Sequence, residues 1–399
     1  MSTDFTATRA LFDLPEGVIY LDGNSLGPLP RAAAARVAQS VSEEWGKLLI
    51  AGWNAAGWME MPTRIGNRIA RLIGAEPNSV VLGDTLSIKV YQALASALDL
   101  AAPGRKVILS DSGNFPTDLY MAEGLIKSLG RGHVLRVVAP EEVAGALDDS
   151  VAVMMLTEVD YRTGRRHDMA ELTAKARAAG AMTIWDLAHS AGAVPVDLSG
   201  AGADFAVGCT YKYLNGGPGA PAFIYVAPRL ADRVRPALSG WLGHDAPFDF
   251  EPAYRPGRGI ERMRVGTPPV LQMAALDAAL DVWDGVDMAD LRARSLALTD
   301  QFIADIEDCC PVLQLATPRD HARRGSQVSL RHPQGYAIMQ ALIAEGVVGD
   351  FRAPDILRFG FTPLYTSSED VAMAAAVLTD VMRQELWDRP EYQVRARVT

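Results

Sequence analysis

The chain has few lysines, Lys47, Lys89, Lys106, Lys127, Lys175 and Lys212, and one of them stands where an amine can do chemistry. Lys212 follows the apolar run Asp204-Phe205-Ala206-Val207-Gly208 through Cys209-Thr210-Tyr211 and precedes Asn215-Gly216-Gly217-Pro218-Gly219. A strand that ends near a lysine and continues into flexible glycine backbone presents an amine at the open edge of a sheet, with room beside it for a flat ring. Upstream, Thr183-Ile184-Trp185-Asp186-Leu187-Ala188-His189-Ser190 repeats the pattern, an apolar strand ending in a carboxylate with a histidine three residues later. A cofactor aldehyde needs an amine, and a pyridinium nitrogen needs an acidic partner. Lys212 and Asp186 therefore point to pyridoxal 5'-phosphate (PLP).

The other lysines fit simpler roles. Lys47, Lys127 and Lys175 lie in polar, helix-like stretches and Lys106 opens a strand, as expected for solvated amines. Lys89 follows a turn and is the second lysine able to line a site.

The elements that must position Lys212 and Asp186 alternate in type. Seven β-rich runs, at residues 80–82, 107–109, 134–135, 151–156, 182–185, 205–207 and 222–226, are separated by stretches such as 118–129 and 168–179 with apolar residues at helical spacing. This pattern predicts an α/β domain with a mostly parallel seven-stranded sheet covered on both faces. Ligands bind beyond the carboxyl ends of such strands, where Asp186 and Lys212 fall. Residues 30–49 read as an alanine-rich helix, and 61–73 as another with Pro62 in its first turn. Residues 239–269 carry too many glycines and prolines for regular structure, yet include Trp241 and several arginines, the composition of a functional loop. A long helical stretch over 270–308, strands near 327–330 and 357–361, and a last helix over 368–385 predict a smaller α+β domain. The expected division is an N-terminal segment, 1–50, packing with the small domain; a large PLP-binding domain, 51–290; and a C-terminal small domain, 291–399.

At 399 residues the chain is long enough for two lobes. Its net charge of -10, without a lysine- or arginine-rich block, argues against a nucleic-acid partner. Residues 1–17 lack the apolar core of a signal peptide, and no segment reaches the ~18 apolar residues of a membrane span. A soluble, cytoplasmic protein is expected. Cys209, Cys309 and Cys310 match neither a disulfide framework nor a zinc pattern, and read as reduced, mostly buried thiols.

Several separate motifs agree: Tyr20-Leu21-Asp22-Gly23-Asn24-Ser25-Leu26-Gly27, Phe115-Pro116-Thr117-Asp118, Trp185 to Ser190, Thr210 to Gly219, and Gly266-Thr267-Pro268-Pro269. Over nearly its whole length the chain resembles the kynureninase family. That resemblance implies a homodimer of the aspartate-aminotransferase fold (fold type I) with active sites shared between subunits. Its reaction would be the PLP-dependent hydrolysis of L-kynurenine to anthranilate and L-alanine, with 3-hydroxykynurenine as a related substrate. By the same resemblance Lys212 binds the cofactor aldehyde and then removes the substrate α-proton, and Asp186 keeps the ring nitrogen protonated. His189 lies near the phenolic oxygen, and Phe115 stacks on the ring. Leu86, Ser87, Pro116, Thr117, Asp118 and Tyr211 hold the cofactor, while Trp241 and Thr267 reach its phosphate from the neighbouring subunit. Arg358 clamps the substrate α-carboxylate, Tyr211 delivers a proton late in the reaction, and Trp53 with Thr267 bears on ring preference. Lys89 departs from the family, which often carries an amide there.

Taken singly these residues have simpler readings. Asp186 could cap a helix, His189 could make a core hydrogen bond, Phe115 could be packing, and Trp53 could only fasten the N-terminal segment. Arg358 lies in an apolar strand, where a buried guanidinium needs an anion, either a ligand or the internal acids Asp350 or Asp355. A ligand is the favoured partner. The rival on the same fold, a cysteine desulfurase or selenocysteine lyase, needs a mobile cysteine nucleophile, and residues 346–354 contain none. A non-catalytic PLP-fold binding protein would have no use for Lys212, Asp186 and Arg358 together. A dinucleotide binder would need the G-x-G-x-x-G spacing after a strand, which is absent.

Overall fold

The seven β-rich runs form one sheet in the computed structural model, which describes residues 2–395. Its strands are β1 (Val80–Leu82), β2 (Val107–Asp111), β3 (Val134–Val138), β4 (Val151–Thr157), β5 (Met182–Asp186), β6 (Phe205–Gly208) and β7 (Phe223–Val226), in spatial order β1-β7-β6-β5-β4-β2-β3. Strands β2 to β6 pair in parallel. β4 is buried along its whole length, which is why it reads as a continuous apolar run rather than an alternation. β7 runs antiparallel to both β1 and β6, because the chain returns from β6 through the Lys212 turn instead of a crossover helix.

Helices α2 (Met61–Leu72), α4 (Pro116–Leu129) and α5 (Met169–Ala179) follow the predicted stretches, α1 (Arg31–Gln39) follows the first part of its stretch, and α3 (Leu86–Leu100) is a further helix between β1 and β2. Two expectations are corrected. The helix expected over 30–49 is α-helical only through Gln39 and then widens to a π-helical stretch, Ser40–Leu48. The helix expected over 270–308 is interrupted: α6 (Val270–Ala279) ends in a 3-10 turn, and α7 (Met288–Cys309) starts afresh. Gly285 takes the left-handed backbone (φ 79°) that stops the first helix, and the Asp287 carboxylate accepts the Ala289 and Asp290 N–H groups to begin the second.

The small lobe carries β8 (Gln327–Arg331), β9 (Asp350–Arg352) and β10 (Ile356–Gly360), with α7 and α8 (Gly335–Ala344) packed on the sheet and α9 (Ser368–Arg383) packed on those two helices. Its core, including Leu298, Phe302, Ile338, Leu342, Phe359 and Leu378, is separate from that of the large lobe. The first 50 residues touch both lobes. The short strand Ile19–Tyr20 pairs in parallel with Val347–Val348, and Leu21 joins the small-lobe core. Phe12 belongs to the large-lobe core, and α1 packs on α6. Among the described residues no helix is long and apolar enough to cross a membrane. Cys209 and Cys310 are buried, whereas Cys309 is exposed.

Candidate active site

Parallel register brings the predicted chemistry to one sheet edge. Thr157 ends β4 opposite Asp186 at the end of β5, and Asp186 in turn neighbours Val207 of β6, a few residues before Lys212. The Asp186 carboxylate is buried and accepts the Ala188 N–H at 2.8 Å, with Thr157 Oγ1 3.4 Å away. Lys212 Nζ lies 3.0 Å from His189 Nε2, 6.0 Å from the Phe115 ring centre and 5.9 Å from that of Tyr211. Burial, reinforced by Lys212, Arg358 and Arg352, pushes His189 well below the ordinary imidazole value, so the ring is neutral. A neutral ring that accepts from Lys212 through Nε2 carries its hydrogen on Nδ1, which is buried and without a partner among the described residues.

Asp118, in the first turn of α4, is 1% exposed, and neither of its carboxylate oxygens has a partner among the described residues. Burial, then the nearby Asp186 charge, push Asp118 well above the carboxylate range; burial lifts Asp186 to about 6 against the pull of Lys212. A buried acid at the sheet edge beside a buried carboxyl with neither oxygen partnered leaves hydrogen-bonding capacity for a donor at this edge. A protonated pyridine nitrogen supplies that, so the residues present fit PLP.

Asn114 fixes the start of α4. Its side-chain oxygen accepts the Phe115 N–H at 2.7 Å and the Thr157 hydroxyl at 2.5 Å, and its amide donates to Ser110 at 2.9 Å. Sequence reasoning missed both Asn114 and Thr157. Pro116 and Thr117 open α4 beside Phe115, and Leu86 and Ser87 open α3 on the same edge of the sheet. The free N–H groups of that 15-residue helix favour an anion such as phosphate. The Tyr211 phenol is pushed up by the Cys209 thiol and by burial, which keeps its proton in place. Cys209 is itself pushed up by burial.

Arg358 sits in β10 opposite Asp350 of β9 and is 1% exposed. Its Nε donates to Asp350 Oδ1 at 2.5 Å and its Nη2 to the other carboxylate oxygen; Nη2 also reaches Ser25 Oγ at 2.9 Å, and Nη1 donates to the Tyr161 carbonyl. The arginine thus has an internal acid, Asp350, where a ligand was the favoured partner. Asp355 pairs with Arg331 instead, at 3.2 Å. The Tyr161 ring meets Phe115 edge-on at 5.1 Å and so joins the Arg358 cluster to the Lys212 cluster.

Trp53, Trp241 and Thr267 lie apart. The rings of Trp53 and Trp241 meet edge-on at 6.3 Å, with Trp58 on the far side of Trp53, and Thr267 is exposed on its loop. Among the described residues none of the three makes a hydrogen bond or ring contact with the Lys212 cluster. Lys89 is fully buried, 3.0 Å from Gln92 Oε1 and 3.4 Å from Asp84, and burial lowers it to about 8. Its partners make it a structural amine.

The N-terminal segment closes over the Lys212 turn. Gly27 N–H donates to the Tyr211 carbonyl at 2.8 Å, and a Cβ at Gly27 would stand 2.5 Å from the Lys212 carbonyl oxygen and 2.4 Å from Asn215 Oδ1. Gly27→Ala is therefore expected to destabilise the protein by about 1–3 kcal/mol, the usual cost of overpacking, and to loosen cofactor retention. Thermal unfolding with and without added PLP checks this; an unchanged Tm in both would refute the close fit.

A lysine and an acid at the carboxyl edge of this sheet, with an arginine-bearing small lobe beside it, define the fold type I class of PLP enzymes. Solved structures bear out the architecture. The apo cysteine desulfurase of Thermococcus onnurineus NA1 superposes with a TM-score of 0.80 at 18% identity, covering 96% of this chain and all of that one. A mutant of the protein C-DES, with glycine covalently linked to its PLP cofactor, superposes with a TM-score of 0.79 at 19% identity, covering 95% of this chain and all of that one. Sequence similarity is far closer elsewhere. The kynureninase of Pseudomonas fluorescens is 54% identical over 397 residues, 98% of this chain and 95% of that protein. The family model for the kynureninase C-terminal domain matches residues 291–378. The chain belongs to the kynureninase family.

Proposed function

We infer that the protein hydrolyses L-kynurenine to anthranilate and L-alanine with PLP as its cofactor. The observation that carries this reading is the pair of buried, adjoining carboxylates, Asp118 and Asp186, at the same edge as Lys212, in a chain of this family. When bound, PLP supplies an electron sink for the carbanion that forms at the substrate α-carbon. Lys212 holds the cofactor aldehyde and, once released, takes the α-proton, with neutral His189 accepting one of its hydrogens meanwhile. Asp186 would keep the pyridine nitrogen protonated, with neutral Asp118 nearby, and Phe115 would cover the ring. Arg358 receives the substrate α-carboxylate through the Nη1 hydrogen that the Tyr161 carbonyl does not take, the rest of the guanidinium being held by Asp350 and Ser25. The protonated Tyr211 phenol delivers a proton to the β-carbon once water has added at the γ-carbonyl and the Cβ–Cγ bond has broken.

The working unit of this reading is a cytoplasmic homodimer in which Trp53, Trp241 and Thr267 face the partner's site. Their separation from the Lys212 cluster of their own chain supports that arrangement. The desulfurase alternative lacks a thiolate: Cys209 is buried with its thiol pushed up, and Cys309 and Cys310 end α7 in the small lobe. Mixing the purified protein with L-kynurenine and following anthranilate fluorescence and alanine release tests the assignment. Turnover of L-cysteine in place of L-kynurenine would refute it.

Arg358→Ala should act mainly on binding, raising KM by the equivalent of about 2–4 kcal/mol for a buried charge contact. Steady-state kinetics with near-wild-type KM would place the carboxylate elsewhere. Ring preference follows from the residues proposed to line the pocket. Trp53 offers a broad apolar face with one N–H donor and Thr267 a short hydroxyl, so a 3-hydroxyl on the substrate would lose water for a poor partner. That loss, about 1–3 kcal/mol, predicts a roughly tenfold or larger kcat/KM advantage for L-kynurenine. The double variant Trp53→His, Thr267→Asn should shift the ratio toward 3-hydroxykynurenine; equal kcat/KM values in the wild type would remove both residues from the specificity argument.

A further inference from the structure

The side chain of Asn114 decides where the hydrogen of Thr157 goes. Asn114 Oδ1 lies 2.7 Å from the Phe115 N–H, a group that can only donate, so the oxygen and the amide nitrogen of Asn114 cannot be exchanged. The amide hydrogens point to Ser110 Oγ at 2.9 Å and to the Met155 carbonyl at 3.4 Å, and the Ser110 hydroxyl donates to that same carbonyl at 2.7 Å. Ser110, Asn114 and Thr157 are all buried.

Thr157 Oγ1 stands 2.5 Å from Asn114 Oδ1 and 3.4 Å from Asp186 Oδ2. A hydroxyl has a single hydrogen to give. Two oxygens as close as those of Thr157 and Asn114 repel unless a hydrogen lies between them, and the Asn114 carbonyl oxygen has none, so the hydrogen comes from Thr157. What Thr157 turns toward Asp186 is therefore an oxygen lone pair.

The two oxygens of Asp186 are consequently unequal. Oδ1 accepts the Ala188 N–H at 2.8 Å. With the Thr157 hydrogen committed to Asn114, no other group among the described residues donates to Oδ2. A carboxylate oxygen without a donor is a stronger base than one that already accepts a hydrogen.

We propose that Asn114 is a positioning residue that withholds the Thr157 hydrogen from Asp186 and so keeps Asp186 Oδ2 free for the ring nitrogen of PLP. The proposal rests on the reading of Asp186 given above. It also ties two parts of the site to a single atom: the Asn114 oxygen that turns Thr157 away is the one that accepts the Phe115 N–H.

The test compares Asn114→Ala, Thr157→Val and the double variant as holoenzymes loaded with PLP isotopically labelled at the ring nitrogen. Asn114→Ala releases the Thr157 hydroxyl to turn onto Asp186 Oδ2. The nitrogen NMR signal of the bound ring should then move toward the position of an unprotonated pyridine, and the dissociation constant of PLP should rise about tenfold, the scale of one added hydrogen bond to a charged group. Adding Thr157→Val removes the released hydroxyl and should return both the signal and the dissociation constant toward wild type. Asn114→Ala and the double variant share the loss of the Phe115 acceptor, so the difference between them reports the Thr157 hydrogen alone. Thr157→Val by itself should leave the ring-nitrogen signal at the wild-type position, which decides the matter even if Asn114→Ala fails to fold. A displaced signal in Thr157→Val, or a double variant no better than Asn114→Ala, would overturn the proposal while leaving Asp186 as the partner of the ring nitrogen. A wild-type signal already at the unprotonated position would overturn that reading of Asp186 and the proposal with it.

Discussion

Lys212→Ala is expected to be inert toward L-kynurenine, with turnover at least about 10⁴-fold below wild type, because the variant loses both the covalent anchor of the cofactor and the base for the α-proton. No other amine can take over. Lys89 is fully buried and committed to Asp84 and Gln92. The remaining lysines lie outside the Lys212 cluster. The wild-type protein should be yellow, and borohydride should fix the cofactor to the peptide containing Lys212. A label on the Lys89 peptide, or turnover within tenfold of wild type in Lys212→Ala, would overturn the site.

Asp186→Ala should lower kcat and kcat/KM together by about a hundredfold or more, since its interaction with the ring nitrogen strengthens as charge develops in the transition state. Asp118→Asn should cost much less. Asp186 has the Ala188 N–H to stabilise its charge, whereas the side chain of Asp118 has no partner among the described residues and burial favours its neutral form. Steady-state kinetics on the two variants separate the roles. Equal losses would mean that the acids share the charge, and a larger loss in Asp118→Asn would reverse the assignment.

The strands were legible because parallel strands covered on both faces must be apolar throughout, and the runs ending at Asp186 and near Lys212 have that character. Strand direction was not: the run that became β7 looks like its parallel neighbours, and only the missing crossover helix distinguishes it. The break between α6 and α7 carried a readable signal, Asp284-Gly285-Val286-Asp287, in which a left-handed glycine stop is followed by an aspartate start. Strong helical periodicity on either side concealed it. Thr157 and Asn114 gave no signal of their own, since Thr157 reaches Asp186 only through the register of β4 on β5. The cluster of Ser25, Asp350 and Arg358 joins residues more than 300 positions apart, and no local spacing encodes it. Its member Ser25 lies inside the opening motif Leu21-Asp22-Gly23-Asn24-Ser25-Leu26-Gly27, which marked the family without disclosing what that side chain touches.

The pairing of the N-terminal segment with the small lobe also fixes an order of events during synthesis. Ile19 and Leu21 donate to the carbonyls of Gly346 and Val348, and the Leu21 carbonyl accepts from Gly360 N–H. The ribosome delivers residues 19–21 before the seven-stranded sheet and residues 346–360 after it. Domains fold as they are completed from the N-terminal side, so the strands that carry Asp186 and lead into the Lys212 turn are in place before Arg358 exists. The nascent protein acquires the sheet edge with Asp186 and Lys212 well ahead of Arg358, and through that interval residues 19–27 have no small lobe to dock on.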